Sequence, residues 1–290
     1  MAADCLGMDG PFGFLNGSKL QPMKIHFYAN TGKPQAQAAR VALASRAVGL
    51  GLQIAEDEPG DVVVALGGDG TFLKAVHEYP QTPVLGLNLG GLGYLSSVEE
   101  RDFPHALEML ARGRFHVSER TMMTVRKRGE ESVSRTALND VVIVREMSGH
   151  AAVLDLTVDG RMAARYMADG LVLATPTGST AYSLAAGGPV LMPDSGSFVV
   201  TPMNPHALGI RPMVVGDSAV FTVTSRPRAN GRVERIGVYA DGENSFGLDA
   251  GESAEIVRSP HGALMLELDG YEPYEVMARK LGWSGSSASI

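Results

Sequence analysis

Asp61-Val62-Val63-Val64-Ala65-Leu66-Gly67-Gly68-Asp69-Gly70-Thr71 runs from an unbroken apolar segment into three glycines set around one acid. Five consecutive apolar residues, bounded by turn formers, predict a strand buried on both faces, the kind found in parallel sheets covered by helices. After such a strand the chain turns at the carboxyl edge of the sheet, where open α/β folds bind ligands. Gly67, Gly68 and Gly70 predict a turn that uses backbone angles closed to other residues and lets main-chain N–H groups approach a phosphate. Asp69 sits where it can accept the proton of an attacking hydroxyl. A helix expected from Thr71 would aim its positive end at a transferred phosphoryl group. The plainer alternative is that Asp69 only caps that helix. Neither G-x-G-x-x-G nor the Walker pattern G-x-x-x-x-G-K-[ST] is matched at this turn.

On either side of this stretch, strands and helices alternate. Residues 25–28 read as a strand, 35–48 as an Ala-rich helix, 84–87 as a second buried strand and 103–112 as an amphipathic helix stopped by Gly113. Asn88-Leu89-Gly90-Gly91-Leu92-Gly93 follows the second buried strand as the first glycine cluster follows its own, which predicts two glycine-rich loops on one sheet edge. This pattern predicts a parallel sheet wrapped on both faces. Beyond about residue 117 the texture changes to alternating segments such as Val153-Leu154-Asp155-Leu156-Thr157-Val158 and Leu264-Met265-Leu266-Glu267-Leu268, with turn signals between them. The expected organisation is a flexible extension over 1–22, an α/β domain over 23–117, a β-rich domain over 118–271, and a terminal segment from about 272 to 290 that returns to the first domain. Trp283, the single tryptophan, is expected to anchor that last segment.

Composition narrows the function. The 290 residues are 44% apolar and carry a formal net charge of −7 with no basic tract, which argues against a nucleic-acid binder working by phosphate neutralisation. One cysteine excludes an internal disulfide and a thiolate zinc site. No run of about 18 apolar residues is present, and residues 1–22 lack the basic start and apolar core of a secretion signal. A cytoplasmic protein with no membrane partner is therefore expected.

Further motifs follow the glycine turn in order. They are Asn88-Leu89-Gly90-Gly91-Leu92-Gly93-Tyr94-Leu95, Asn139-Asp140-Val141-Val142, Asp169-Gly170-Leu171-Val172, the long block Thr175-Pro176-Thr177-Gly178-Ser179-Thr180-Ala181-Tyr182-Ser183-Leu184-Ala185-Ala186-Gly187-Gly188-Pro189, and Lys280-Leu281-Gly282-Trp283-Ser284. Together they resemble the NAD kinase family. The glycine turn alone is shared with diacylglycerol, sphingosine and 6-phosphofructo kinases, whereas the 175–189 block is long and specific.

The resemblance implies a Rossmann-like or phosphofructokinase-like α/β domain followed by a β-rich domain that binds NAD. It implies that Asp69 accepts the proton of the 2′-hydroxyl of the adenosine ribose, with Gly70 beside it. Asn139 and Asp140 would hold adenine and ribose. Thr177, Thr180, Ala181, Tyr182, Ser183, Leu184 and Ala185 would line the dinucleotide with Tyr94, His150 and Met167. Asp169 would reach the nicotinamide carboxamide from a neighbouring subunit, which makes a homodimer or homotetramer part of the expectation. Gly67, Gly68, Gly70, Thr71, Gly90 and Gly91 would form the donor-phosphate loops. ATP would arrive with Mg²⁺ or another divalent cation, because no carboxylate cage for the metal is evident, and no organic prosthetic group is implied.

Two departures stand out. Met167 occupies a position that is often basic in relatives, with Arg165 the nearest substitute, and Glu243 in Asp241-Gly242-Glu243 stands where glutamine is common.

Overall fold

The computed structural model describes residues 22–30, 32–56, 58–90, 93–96, 98–146 and 149–283. Residues 1–21 of the expected extension over 1–22, Gly91 and Leu92 of the second glycine-rich loop, and residues 284–290 of the expected returning segment lie outside the described residues.

In the first half β1 (Lys24–Ala29), α1 (Pro34–Gly49), β2 (Gln53–Ile54), β3 (Val62–Leu66), α2 (Asp69–Glu78), β4 (Val84–Asn88), β5 (Val98–Glu99) and α3 (Phe103–Ala111) alternate as expected. The strands lie in the order β2-β1-β3-β4, all parallel, with β5 added alongside β4. Every residue of β3 and β4 is buried, because helices cover both faces. Val62, Val64 and Leu66 pack with Leu43 and Ala47 of α1 and Phe103, Leu107 and Leu110 of α3. Val63 and Ala65 point the other way, onto Phe72, Ala75 and Val76 of α2. The period of two along β3 thus feeds two separate cores, each large buried side chain contributing roughly 1.5–3 kcal/mol.

α2 begins at Asp69, two residues earlier than expected. Gly68 is the extended N-terminal boundary residue, and its carbonyl accepts from the N–H groups of Thr71 (2.9 Å) and Phe72 (3.2 Å). No side chain caps the helix; Asp69 sits in its first turn, where a negative charge suits the helix dipole. Gly67, Gly68 and Gly70 do not use positive φ, contrary to expectation. What Gly67 supplies is room, since a Cβ there would lie 2.2 Å from Thr71 Oγ1.

The second half comprises β6 (Phe115–Arg120), β7 (Met123–Lys127), β8 (Glu130–Ala137), β9 (Asp140–Arg145), β10 (Ala152–Val158), β11 (Arg161–Ala168), β12 (Gly170–Ala174), α4 (Tyr182–Ala185), β13 (Ser197–Met203), β14 (Met213–Gly216), β15 (Phe221–Arg226), β16 (Ile236–Ala240), β17 (Glu243–Leu248), β18 (Ser253–Arg258), β19 (Ala263–Leu268) and α5 (Pro273–Leu281). Two six-stranded antiparallel sheets, ordered β11-β10-β15-β18-β7-β8 and β14-β13-β12-β9-β16-β17, share one core. Val141, Ile143, Leu171 and Leu173 from one sheet meet Leu154, Leu156, Phe221 and Val223 from the other. Val142, Val172, Ala174 and Val199 alternate onto the opposite face of the second sheet, where Val144, Leu191, Met203 and Tyr239 pack against them.

Two strands tie the halves together. β19 leaves the β-rich half, pairs in parallel with β4, and is joined antiparallel by β6, completing a seven-stranded mixed sheet. α5 follows directly, burying Val276 and Met277. Trp283 does not anchor this segment: it is 61% exposed, and the apolar face of α5 makes the attachment instead.

Candidate active site

The side chain of Asp69 is turned away from its own helix. Its Oδ2 accepts the N–H of Tyr94 at 2.8 Å, and its Oδ1 accepts those of Leu95 at 3.1 Å and Ser96 at 3.0 Å. One carboxylate therefore clasps the end of the second glycine loop to the first. Gly93 is required by this approach, since a Cβ there would stand 2.1 Å from Asp69 Oδ1. Each carboxylate oxygen can accept two hydrogen bonds. With two used on Oδ1 and one on Oδ2, a single acceptor position on Oδ2 is left, on a partly exposed residue at the carboxyl edge of the parallel sheet. Asn88, at the end of β4, folds the same loop from its other side by accepting the N–H of Gly90 at 2.9 Å.

A second aspartate repeats the device. Asp241, with φ of +48° before Gly242, points its nearly buried carboxylate at the chain entering β9. It accepts the N–H groups of Leu138 (2.8 Å), Asn139 (2.8 Å) and Asp140 (3.2 Å), and Nε2 of His77 on α2 lies 2.8 Å from its Oδ2. The Asn139-Asp140 corner is also held from below: Gly178 lies so close that a Cβ would fall 1.9 Å from the Asn139 carbonyl oxygen, and Thr175 Oγ1 donates to the carbonyl of Leu138 at 2.5 Å. Asp140 itself is 5% exposed. Burial, reinforced by the neighbouring charge of Asp241 and opposed by the N–H of Tyr182, pushes its carboxyl up to about 7.

These corners border two joined cavities between the halves. One, of about 430 Å³, is lined by Asn139, Asp140, Ala181 and Tyr182 together with Leu73, Val142, Val144 and Tyr239. The other, of about 950 Å³, is lined by Gly70, Lys74, His77, Arg135 and Glu243 among others, and the two share Leu73, Asp241 and Gly242. A third, of about 50 Å³, brings Tyr94, Thr177 and Thr180 together beneath α5. Burial, and then Asp69, raises the Tyr94 hydroxyl.

The 175–189 block is built differently from a capped helix. Residues Thr177–Thr180 form a 3-10 turn in which Thr180 Oγ1 donates to the carbonyl of Thr177, and α4 spans only Tyr182–Ala185 with no side-chain cap. Ser183 is buried against Thr201, Oγ to Oγ1 at 2.8 Å, while Leu184 is partly exposed and Ala185 exposed.

His150, Met167 and Asp169 stand apart. Asp140 pairs with Ala174 at one end of the β9–β12 ladder, whereas Val144 pairs with Gly170 at the other. At about 3.3 Å per residue this separates Asp169 from Asp140 by roughly 15–17 Å along the strands. Asp169 is held on its own chain by Arg145 Nε at 2.7 Å and by the Asn204 amide at 2.9 Å, contacts that lower its carboxyl. His150 Nε2 accepts from Arg232 at 2.7 Å, and Met167 is 40% exposed. Arg165, the nearest basic side chain in sequence to Met167, turns its Nε and Nη2 to Asp155 (2.6 and 2.9 Å).

Leu73, His77 and Asp241 were not expected at the site. Asp241 had a visible signal in its position before Gly242, yet a turn residue gives no hint that its carboxylate is committed a hundred residues away.

The N-terminal half, residues 26–115, matches the ATP-NAD kinase N-terminal domain, and residues 138–268 match the ATP-NAD kinase C-terminal domain. Proteins named NAD kinase from Acinetobacter baylyi and Symbiobacterium thermophilum are each 38% identical to this chain, over 77% of it and 73% of the first, and over 76% of it and 78% of the second. The fold is shared with yeast NADH kinase complexed with NADH (TM-score 0.81, 24% identity, 93% of this chain and 90% of that one). It is also shared with an NAD kinase from Archaeoglobus fulgidus in complex with ATP (TM-score 0.69, 22% identity, 89% and 96%). With both halves matched and relatives 38% identical over about three quarters of its length, the chain belongs to the NAD kinase family.

Proposed function

We propose that the chain transfers the terminal phosphoryl group of ATP to the 2′-hydroxyl of the adenosine ribose of NAD, giving NADP, with Asp69 as the proton acceptor. Phosphorylation of NAD to NADP is the reaction of the family. The observation that carries the residue assignment is Asp69 Oδ2, a carboxylate oxygen fixed by one backbone N–H and left with one acceptor position. A hydroxyl donating there is aligned for attack: its oxygen bonds to the γ-phosphorus, the bond from that phosphorus to the β,γ-bridging oxygen breaks, the proton passes to Asp69, and ADP leaves. Catalysis of this kind rests on positioning and electrostatics rather than on covalent steps with the protein.

Asn139, Asp140, Ala181 and Tyr182 line the cavity suited to adenine and ribose, where amide, carboxylate and ring surfaces meet. The donor would occupy the adjoining cleft beside Gly70, near the N-terminus of α2. Among the described residues no three His, Cys, Asp or Glu side chains converge to hold a cation. The residues thus do not fit a protein-built Mg²⁺ site, and the ion would be carried on the phosphates of the donor with its own waters. The location of Asp169, one strand length from Asp140, supports its service to the far end of a dinucleotide in a homodimer or homotetramer. A cytoplasmic location is part of the same reading.

The test is NADP formation from NAD, ATP and Mg²⁺ by the purified chain, compared with Asp69→Asn. Loss of the acceptor is expected to lower kcat by about 10²–10⁴-fold, with NAD binding retained. Turnover within a few-fold of wild type at unchanged NAD affinity would show that Asp69 is not the proton acceptor.

A further inference from the structure

Lys280 has been given no role so far, yet its position is unusual for a lysine. α5 buries Val276 and Met277, and a residue four positions after Val276 falls on the same face, so docking of the helix carries Lys280 inward. Its Nζ lies 4.6 Å from the centre of the Tyr94 ring. The backbone N–H of that same Tyr94 donates to Asp69 Oδ2, the oxygen that keeps a free acceptor position. Lys280 therefore stands over the loop that Asp69 clasps. Among the described residues it forms no ion pair and no hydrogen bond. Half-burying an ammonium without a bonded counterion costs free energy that solvent exposure would avoid, which is the signature of a charge held for a purpose.

We propose that Lys280 is a further catalytic residue of the phosphoryl transfer, its ammonium contacting the transferring phosphoryl group beside Asp69. The proposal rests on the reaction given above. In that step negative charge spreads over the three equatorial oxygens of the phosphoryl group as it moves from the β,γ-bridging oxygen to the hydroxyl. A positive point charge held over the loop that Asp69 clasps, and brought onto the phosphoryl group, stabilises that distribution, and it does so without being consumed or gaining or losing a proton. Asp69 by itself would leave a carboxylate facing an anionic donor. Lys280 offsets that repulsion, and the Tyr94 ring holds the ammonium by a cation–π contact until the donor arrives. Burial lowers the Lys280 ammonium from its ordinary range while the field of Asp69 opposes the change, so the two groups sense each other in the resting protein.

The experiment uses the full chain with NAD, ATP and Mg²⁺, comparing wild type with Lys280→Met, Lys280→Arg and Lys280→Ala, and recording kcat, both KM values and Tm. Lys280→Met is expected to lower kcat about 100-fold, a loss typical of one electrostatic group at a reacting centre, with Tm and the KM for NAD little changed. Lys280→Arg is expected to recover part of the loss. Lys280→Ala is expected to be stimulated saturably by ethylammonium and not by sodium at equal ionic strength, a response that a packing role would not give. The proposal is overturned if Lys280→Met keeps kcat within a few-fold of wild type. It is equally overturned if all three variants lose activity together with Tm and ethylammonium restores none of it. Failure of the wild-type chain to form NADP would instead overturn the reaction on which the proposal rests.

Discussion

Asp140→Asn should make the protein more stable at alkaline pH while weakening its hold on NAD. The carboxyl of Asp140 is pushed up from 3.8 to about 7 by burial and by Asp241. The folded state therefore keeps the proton longer than the unfolded chain does. Ionising the group in the fold costs nothing below pH 3.8, costs more as pH rises, and is fully unfavourable above about 7. At about 1.36 kcal/mol per pH unit the complete penalty is about 4 kcal/mol, of which about 1.6 kcal/mol is already present at pH 5. Between pH 5 and pH 8, wild type should thus lose about 3 kcal/mol relative to the amide variant, which carries no charge to bury and keeps an oxygen for the Tyr182 N–H. For a chain of this size that difference corresponds to about 6 °C in Tm. Scanning calorimetry of both proteins at the two pH values measures it directly, because groups common to both cancel in the comparison. A wild-type-minus-variant Tm gap that is the same at pH 5 and pH 8 would refute the reasoning. NAD titration should show weaker binding by the variant, since an amide nitrogen cannot accept from a ribose hydroxyl.

Four other changes test the clasps and their surroundings. Gly93→Ala places a Cβ 2.1 Å from Asp69 Oδ1 and should abolish turnover by displacing the carboxylate, with circular dichroism unchanged. Asp241→Ala strips the acceptor from the N–H groups of Leu138, Asn139 and Asp140 and should cost about 2–3 kcal/mol in urea unfolding; its KM for NAD should rise while the KM for ATP changes less. Gly178→Ala drives a Cβ into the Asn139 carbonyl and should destabilise by about 1–3 kcal/mol or more, visible as a lower urea midpoint. Trp283→Ala, at a 61% exposed side chain, should shift stability by no more than about 0.5 kcal/mol, which a fluorescence-independent melt can confirm.

Much of the fold is legible in sequence because its strongest signals are local. The five-residue run at Val62–Leu66 announces a doubly covered strand, and β3 is buried throughout. The alternating segments after residue 117 announce antiparallel sheets, and two such sheets are found. What is not legible depends on partners far away in the chain. Nothing in Ala263–Leu268 distinguishes a strand that stays in the sandwich from one that returns to lie beside β4, since both environments accept the same apolar alternation. The start of α2 at Asp69 is hidden for a related reason: aspartate is a good cap, and only its engagement by Tyr94, Leu95 and Ser96 removes it from that duty.

The site itself was legible as motifs but not as mechanics. Read along the chain, Asp69 and Asp241 belong to unrelated turns, one in a glycine cluster and one before Gly242. In the fold they do the same job, each collecting three consecutive backbone N–H groups from a loop in another part of the chain. Such loops cannot satisfy their own donors, and a carboxylate accepting all three fixes their shape more firmly than water would. The difference between the two aspartates then explains their separate fates. Asp241 spends its fourth contact on His77 and is closed, so it can only position Asn139 and Asp140. Asp69, partly exposed at the carboxyl edge of the sheet, leaves its fourth position open, and that single unspent acceptor is what turns a structural clasp into a candidate for chemistry.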